Sequence, residues 1–423
     1  MPTWLRPLLT RRMLICVFTG FSSGLPLYLL LNLIPAWLRS EGVDLKTIGF
    51  IALIQFPYTW KFLWAPLLDR IAPPLGRRRG WMLLTQIGLL GCIALSGGQS
   101  PQQDISGILW LAGAVALLSA TQDIAIDAFR RELLHDEELG LGNSVHVNAY
   151  RLAGLVPGSL SLILADHLAW ATVFQITALF MLPGVAMSLL VREPANVTPP
   201  RTLQDAVVAP FREFIGRAGW GEALLILTFV LFYKLGDSLC TALATPFYLD
   251  MGFTKTDIGL IAKHAGLWPA VAGGLLGGLW MVKLGINRAL WLFGVVQLLS
   301  IFGFAWLAWI GPQASIGAEA RLNLALVIGF EALGVGLGTA AFVAFIARAT
   351  NPIYTATQFA LFTSLAAVPR TFINASAGWL VESLGWLNFY YLCAALALPG
   401  MALLLKVAPW RGVTGGCPKG GGF

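Results

Sequence analysis

Ser119-Ala-Thr-Gln-Asp-Ile-Ala-Ile-Asp-Ala-Phe-Arg-Arg131 places two carboxylates, Asp123 and Asp127, on an otherwise apolar run that starts near Ile108. Four residues apart on a helix, they share one face, one turn above the other, and must address the same cavity, partner or proton path. A carboxylate at membrane depth costs several kcal/mol unless it is paired, hydrated or protonated, so both are candidate functional groups. The bland reading is that each only neutralises a cation on a neighbouring helix, and it applies more to Asp127, which lies nearer the helix end.

The rest of the chain agrees that this run lies in a membrane. Of 423 residues 57% are hydrophobic and only 12% charged, and the mean hydropathy is +0.74. That balance excludes a water-soluble fold and indicates an all-α polytopic membrane protein. The net charge of +7 does not indicate nucleic acid, because the cations gather at helix ends rather than on one patch. Cys16, Cys92, Cys240 and Cys393 lie in apolar runs and Cys417 in the tail, without ligand spacing, so neither a disulfide framework nor a metal site is expected. No cofactor is expected either. The apolar run after the basic Met1–Arg12 segment is too long for a signal peptide and should remain as the first span.

Twelve spans are expected, near 13–38, 47–68, 80–98, 107–129, 141–165, 168–191, 219–248, 256–282, 289–310, 322–347, 354–381 and 386–406. With the N-terminus in the cytoplasm, inside segments hold most of the 28 Lys and Arg, and outside loops hold only Arg39, Lys46, Lys255 and Arg321. The positive-inside bias therefore puts both termini in the cytoplasm. Reporter fusions at either terminus or in the 192–218 segment should be active only with a cytoplasmic reporter. Fusions at Gln102 or Ala314 should be active only with a periplasmic one, and a reversal at any of these sites would overturn the twelve-span topology.

The segment 192–218, with four prolines and four arginines, reads as a linker between two six-helix bundles, 1–191 and 219–406, followed by a cytoplasmic tail, 407–423. An internal repeat supports the division. Pro35-Ala-Trp-Leu38 leads to Gly42-Val-Asp-Leu-Lys-Thr-Ile-Gly-Phe-Ile-Ala52, and Pro246-Phe-Tyr-Leu249 leads to Gly252-Phe-Thr-Lys-Thr-Asp-Ile-Gly-Leu-Ile-Ala262. Both copies join a first to a second span on the outside, so the repeat is parallel, as in the two halves of major facilitator transporters.

Ionisable residues occupy the second (Lys61), fourth (Asp123, Asp127), fifth (Arg151), seventh (Lys234, Asp237), eighth (Lys263), tenth (Glu331) and eleventh (Arg370) spans. The third, sixth, ninth and twelfth have none in their apolar cores. A central polar cavity supported by four outer helices requires this distribution. At about 1.5 Å per residue, Lys61, Asp123 and Arg151 fall within about 6 Å of the midplane and can cluster. Lys234 and Asp237, three residues apart, can neutralise each other. Asp123, Asp127, Glu331 and Asp237 are the candidate proton carriers. Lys61, Gln122, Tyr150, Arg151, Lys234, Arg370, Asn32 and Trp60 are the candidate substrate contacts. Tyr28, Tyr233 and Trp268 join Trp60 and Tyr150 as aromatic faces able to stack on sugar rings, although such residues more often simply pack.

Lys61-Phe-Leu-Trp-Ala-Pro-Leu-Leu-Asp-Arg70 runs into Pro73-Pro74 and Gly76-Arg-Arg-Arg-Gly80. In this loop Asp69 can meet a helix N-terminus and the arginines the other half. The loop resembles the cytoplasmic signature loop of major facilitators, with extra residues between Asp69-Arg70 and Gly76-Arg77, and the resemblance implies that Asp69, Arg70, Arg77 and Arg78 form a conformational latch; the alternative is a plain topology anchor.

Gly20-Phe-Ser-Ser-Gly-Leu-Pro-Leu27, Val43-Asp-Leu-Lys-Thr-Ile-Gly49, the 61–70 segment, Gly76-Arg-Arg-Arg-Gly-Trp81, Thr121-Gln-Asp-Ile-Ala-Ile-Asp-Ala128 and Tyr150-Arg-Leu-Ala-Gly154 resemble the AmpG family of muropeptide permeases. In the second half only the surroundings of Asp237, Thr256-Asp-Ile-Gly259 and Thr357-Gln-Phe-Ala360 share the pattern. The resemblance implies a major facilitator fold and proton-driven import of anhydro-muropeptides, GlcNAc-anhydro-MurNAc with or without a short peptide, across a bacterial inner membrane. Its implied partners are that substrate, protons and membrane lipid, with a monomer as the expected state. Two other classes compete. A drug exporter of the same fold favours excess carboxylate, whereas five intramembrane cations here face four acids. An integral-membrane enzyme needs a nucleophile with a base, and His135, His146, His167 and His264 are scattered without that spacing.

Overall fold

The computed structural model describes residues 9–43, 56–102, 105–193, 203–312, 316–372 and 376–410. Among them there is no strand. The helices are α1 (Arg11–Ser40), α2 (Phe56–Trp60), α3 (Ala65–Arg70), α4 (Arg77–Ser96), α5 (Ile105–Leu133), α6 (Leu139–Ala165) and α7 (Trp170–Leu190). The second half of the chain supplies α8 (Leu203–Phe232), α9 (Leu235–Ala242), α10 (Ala244–Asp250), α11 (Lys255–Ile310), α12 (Ala318–Ala349), α13 (Thr355–Phe372) and α14 (Ala377–Val407).

Nine helical stretches among the described residues are long and apolar enough to cross a bilayer. The count is below the twelve expected spans because successive spans run on through a kink without a loop and because parts of the second and eleventh lie outside the described residues. Expected spans eight and nine run together as α11, which breaks at Gly285, where φ is +73° and ψ +162°. A residue with a Cβ is strained there, so glycine lets the chain turn without a loop. The second span is interrupted by the 3-10 turn Lys61–Leu63 between α2 and α3, and its first part lies outside the described residues. Of the eleventh, α13 and the start of α14 are described while positions 373–375 are not, and α14 breaks at Gly385, where the twelfth begins. Of the internal repeat, the second copy opens α11 with Thr254 as N-cap and Asp257 completing a capping box, and Arg321 Nε donates to Asp257 Oδ1 at 2.7 Å. Positions 44–52 of the first copy lie outside the described residues.

The chain forms two compact units, Met1–Arg217 with Ile346–Leu365, and Ala218–Phe345 with Ala366–Phe423. The segment 346–365, which the sequence assigns to the second bundle as the end of the tenth span, its connection and the first part of the eleventh, groups with the first unit.

In the first unit α1 lies along α6, and the reason is in the sequence. Gly20 and Gly24 form a small-xxx-small pair whose absent side chains leave room for the backbone carbonyls of His146 and Tyr150; a Cβ at either site would overlap them. Backbone contact along this seam turns Ser22 and Ser23 toward α5. Pro26 removes one helical donor, and the ladder adjusts over the π-turn Leu29–Leu33. A second π-turn, Val156–Leu160, follows Arg151 on α6. An apolar cluster of Trp37, Phe174, Leu89, Ile93 and Val115 fixes the other side of α1, with Trp37 edge-on to Phe174 at 5.0 Å.

In the second unit, Phe247, Phe304, Phe389 and Tyr390 form a buried aromatic cluster. A Cβ at Gly273 or Gly336 would overlap the facing backbone of α12 or α11, so these helices also pack at glycine distance.

Candidate functional site

In the first unit the polar centre is built on the face of α5 that carries Asp123 and Asp127. Lys61 is brought to it by the 3-10 turn, which ends where Pro66, lacking an N–H, cannot bond the Phe62 carbonyl and so interrupts the helix ladder. Lys61 is buried, and its Nζ lies 3.8 Å from Asp127 Oδ2. Arg130 Nη2 donates to Asp127 Oδ1 at 2.7 Å, and Arg130 Nε donates to Asn143 Oδ1 at 2.7 Å. Asn143 is itself oriented by its bond to the Leu139 carbonyl. Arg130 also lies 5.7 Å over the ring of Phe359. Asp127 is therefore held between two cations.

Asp123 is held differently. Ser23 Oγ donates to its Oδ1 at 2.5 Å. A hydroxyl adapts to either protonation state of a carboxyl because it donates or accepts. Gln122, one residue before Asp123, is fully buried and bonds Ser22 Oγ at 3.2 Å, within a chain that continues through Gln86 to Ser188. This network ties α1, α4, α5 and α7 together.

The other expected contacts of this unit fall nearby or apart as follows. Tyr150 faces Tyr28 with ring centroids 5.7 Å apart, and Arg151 follows it half-buried on α6. Asn32 is exposed on the π-turn of α1 beside Gly158. Trp60 is 37% exposed and stacks between Phe56 and Phe62 at 5.3 and 5.9 Å.

In the second unit Lys234 Nζ and Asp237 Oδ2 pair at 3.1 Å at the start of α9. Glu331 is buried on α12. Tyr233 does not present a face to a ligand: it is buried, donates to the Leu290 carbonyl at 2.9 Å and stacks on Phe342 at 5.4 Å. Trp268 is exposed on α11. The side chains of Lys263 and Arg370 lie outside the described residues.

The 61–80 loop forms a second polar centre. Asp69 and Arg78 are fully buried and bond at 2.7 Å. Arg78 also reaches Glu132 at 2.8 Å and the Leu68 carbonyl at 3.0 Å, and Arg77 reaches Glu132 at 3.1 Å. The arginines thus turn to acids of α3 and α5, and Arg70 is exposed. Asp69 accepts from the backbone N–H groups of Ala356 (3.3 Å) and Thr357 (2.9 Å) and from Thr357 Oγ1 (2.7 Å), while Thr355 Oγ1 donates to Glu132 at 3.2 Å. Asp69 of α3 therefore caps the N-terminus of α13, satisfying donors that the helix leaves open, and Glu132 of α5 holds the Thr355 hydroxyl beside it.

Sequence reasoning missed Glu132, Arg130 and Asn143, and also a clamp made by the linker. Gln358 Nε2 donates to the Pro210 carbonyl (2.9 Å) and Glu213 Oε2 (2.7 Å), Asn351 Nδ2 donates to Glu213 Oε1 (2.8 Å), and Arg217 donates to the Ala349 carbonyl (2.8 Å). The charged turn at the end of α5 was a signal for Glu132. Gln358 lies in the Thr357-Gln-Phe-Ala360 stretch that shares the family pattern, but nothing in the sequence named Glu213 as its partner.

The family model for the Major Facilitator Superfamily matches residues 16–372. A protein of Haemophilus influenzae, named only as uncharacterized, is 49% identical over 406 residues, 95% of this chain and 96% of that one. The Escherichia coli K12 protein named anhydromuropeptide permease is 42% identical over 398 residues, 93% of this chain and 79% of that one. Among solved structures, the proton:xylose symporter XylE superposes with a TM-score of 0.68 at 12% identity, covering 94% of this chain and 95% of its own.

Proposed function

The chain belongs to the AmpG-type permeases of the major facilitator superfamily, and from that premise we propose that it imports anhydro-muropeptides from periplasm to cytoplasm together with protons. The observation that carries the coupling is the unequal holding of two carboxylates one turn apart. Asp127 sits between Lys61 and Arg130 and has reason to remain charged, whereas Asp123 rests on one hydroxyl. A proton carrier must exchange its proton as the cavity changes access, and Asp123 is the acid whose direct contact tolerates that exchange.

In this reading the Asp69–α13 cap is made when the cytoplasmic side is closed and broken when it opens. Breaking it uncovers the first N–H groups of α13, so the latch resists opening until substrate and proton load. Arg151, Lys61 and Arg370 hold the carboxylates of the peptide stem, and Tyr28 with Tyr150 offers aromatic faces to the sugar. The membrane is the bacterial inner membrane, with both termini in the cytoplasm.

Charge sets the demand on coupling. A tripeptide-bearing substrate carries about two net negative charges at neutral pH. Moving each inward costs about 2.3 kcal/mol per 100 mV, so at roughly −150 mV import is opposed by about 7 kcal/mol. Two or more accompanying protons offset this. Arg151→Gln and Arg370→Gln should accordingly weaken transport of peptide-bearing substrate by about tenfold or more, the equivalent of one charge-assisted contact, and spare the peptide-free disaccharide. Uptake of both substrates into the same vesicles checks this; equal losses would make the arginines structural partners of the acids.

A further inference from the structure

Near the face that the positive-inside bias assigns to the cytoplasm, α1 and α7 enclose a groove of about 400 Å³. The two helices touch deeper in the membrane, where a Cβ on Gly184 would come within 2.6 Å of the Ser22 side chain. From that contact the groove follows both helices toward Arg11 at the start of α1 and Val191 at the end of α7. Its walls are Leu14 and Phe18 on one side and Ala186 and Leu190 on the other, with Ile15 and Met187 as the buried floor. Arg11 stands at the mouth, exposed and without an ion pair among the described residues.

The surrounding charges leave Arg11 available. Its neighbour Arg12 is engaged with Glu138 at 2.8 Å. Arg79 donates to the carbonyls of Ser188 and Leu189, which removes the negative end of α7 from the mouth. Arg192 is exposed one residue beyond Val191, which also lines the groove. The result is an apolar slot whose positive charge at headgroup level is paired with no acid among the described residues, a combination suited to an acyl chain attached to an anion.

We propose that an anionic glycerophospholipid of the cytoplasmic leaflet binds here, one acyl chain between α1 and α7 and its phosphate on Arg11. A zwitterionic lipid fills the same slot but gains less at the mouth, because its own ammonium partly neutralises the phosphate. The site is independent of the transported solute.

The test is native mass spectrometry of the intact protein released from bilayers of phosphatidylethanolamine and phosphatidylglycerol in equal amounts. The parent protein should retain phosphatidylglycerol preferentially. Arg11→Gln should reduce that preference about fivefold, corresponding to one basic residue near the surface, and Arg11→Lys should restore most of it. Ala186→Trp, which fills the slot from an exposed position, should reduce retention of both lipids. If Arg11→Gln keeps the parent preference, or Ala186→Trp keeps the parent lipid complement, the proposal is wrong.

Discussion

Asp123→Asn is expected to reduce pH-driven accumulation of muropeptide to the level of passive equilibration. One pH unit corresponds to 1.36 kcal/mol per proton, so each coupled proton multiplies the attainable concentration ratio about tenfold per unit of gradient. The variant forfeits at least that factor. It keeps the Ser23 bond, because an amide oxygen accepts as a carboxylate does, so the protein should retain its thermal midpoint and still exchange substrate across equal pH. Asp127→Asn differs in kind: it leaves Lys61 and Arg130 without their shared partner and should lower stability as well as transport. If Asp123→Asn still concentrates substrate against a gradient, the proton travels on another acid, with Glu331 and Asp237 next in order.

Arg78→Met should be the most damaging single change to stability. It leaves Asp69, which is fully buried, and Glu132, nearly so, without the guanidinium that bonds both. Removing one partner of a buried pair costs about 3–5 kcal/mol, because the remaining charge is left uncompensated. The loss should appear as a fall in thermal midpoint and in membrane yield. Asp69→Asn is the milder companion. It weakens the cap on the α13 amides while leaving packing intact, and should raise the share of molecules labelled from the cytoplasmic side at a cysteine placed at Ala356, whose backbone N–H is its only part in the cap. Unchanged labelling would mean that the cap is structural and not a latch.

Much of this arrangement could be read before any coordinates. Asp123 and Asp127 announced a polar centre because helical spacing and membrane depth act on any carboxylate in the same way. Asp69 announced a contact with a helix N-terminus because the loop carrying it lies between spans. The sequence was silent where the partner is distant and its type common. Gln358 and Asn351 meet Glu213 across more than a hundred residues, and amides of that kind occur throughout any chain. The breaks at Gly285 and Gly385 fall inside the gaps expected between the eighth and ninth and between the eleventh and twelfth spans, but that one glycine with positive φ would replace a loop at each was not legible. Tyr233 looked like a stacking residue and is instead packed against Phe342, since aromatic content alone does not say which way a helix face turns.

The central claim is proton-coupled import of a muropeptide, and the direct measurement uses purified protein in liposomes with labelled anhydro-muropeptide and an imposed pH gradient. With the outside acid, substrate should accumulate above its external concentration, protons should enter with it, and a protonophore should collapse both. Accumulation only with the gradient reversed, or simple equilibration that ignores it, would contradict the account.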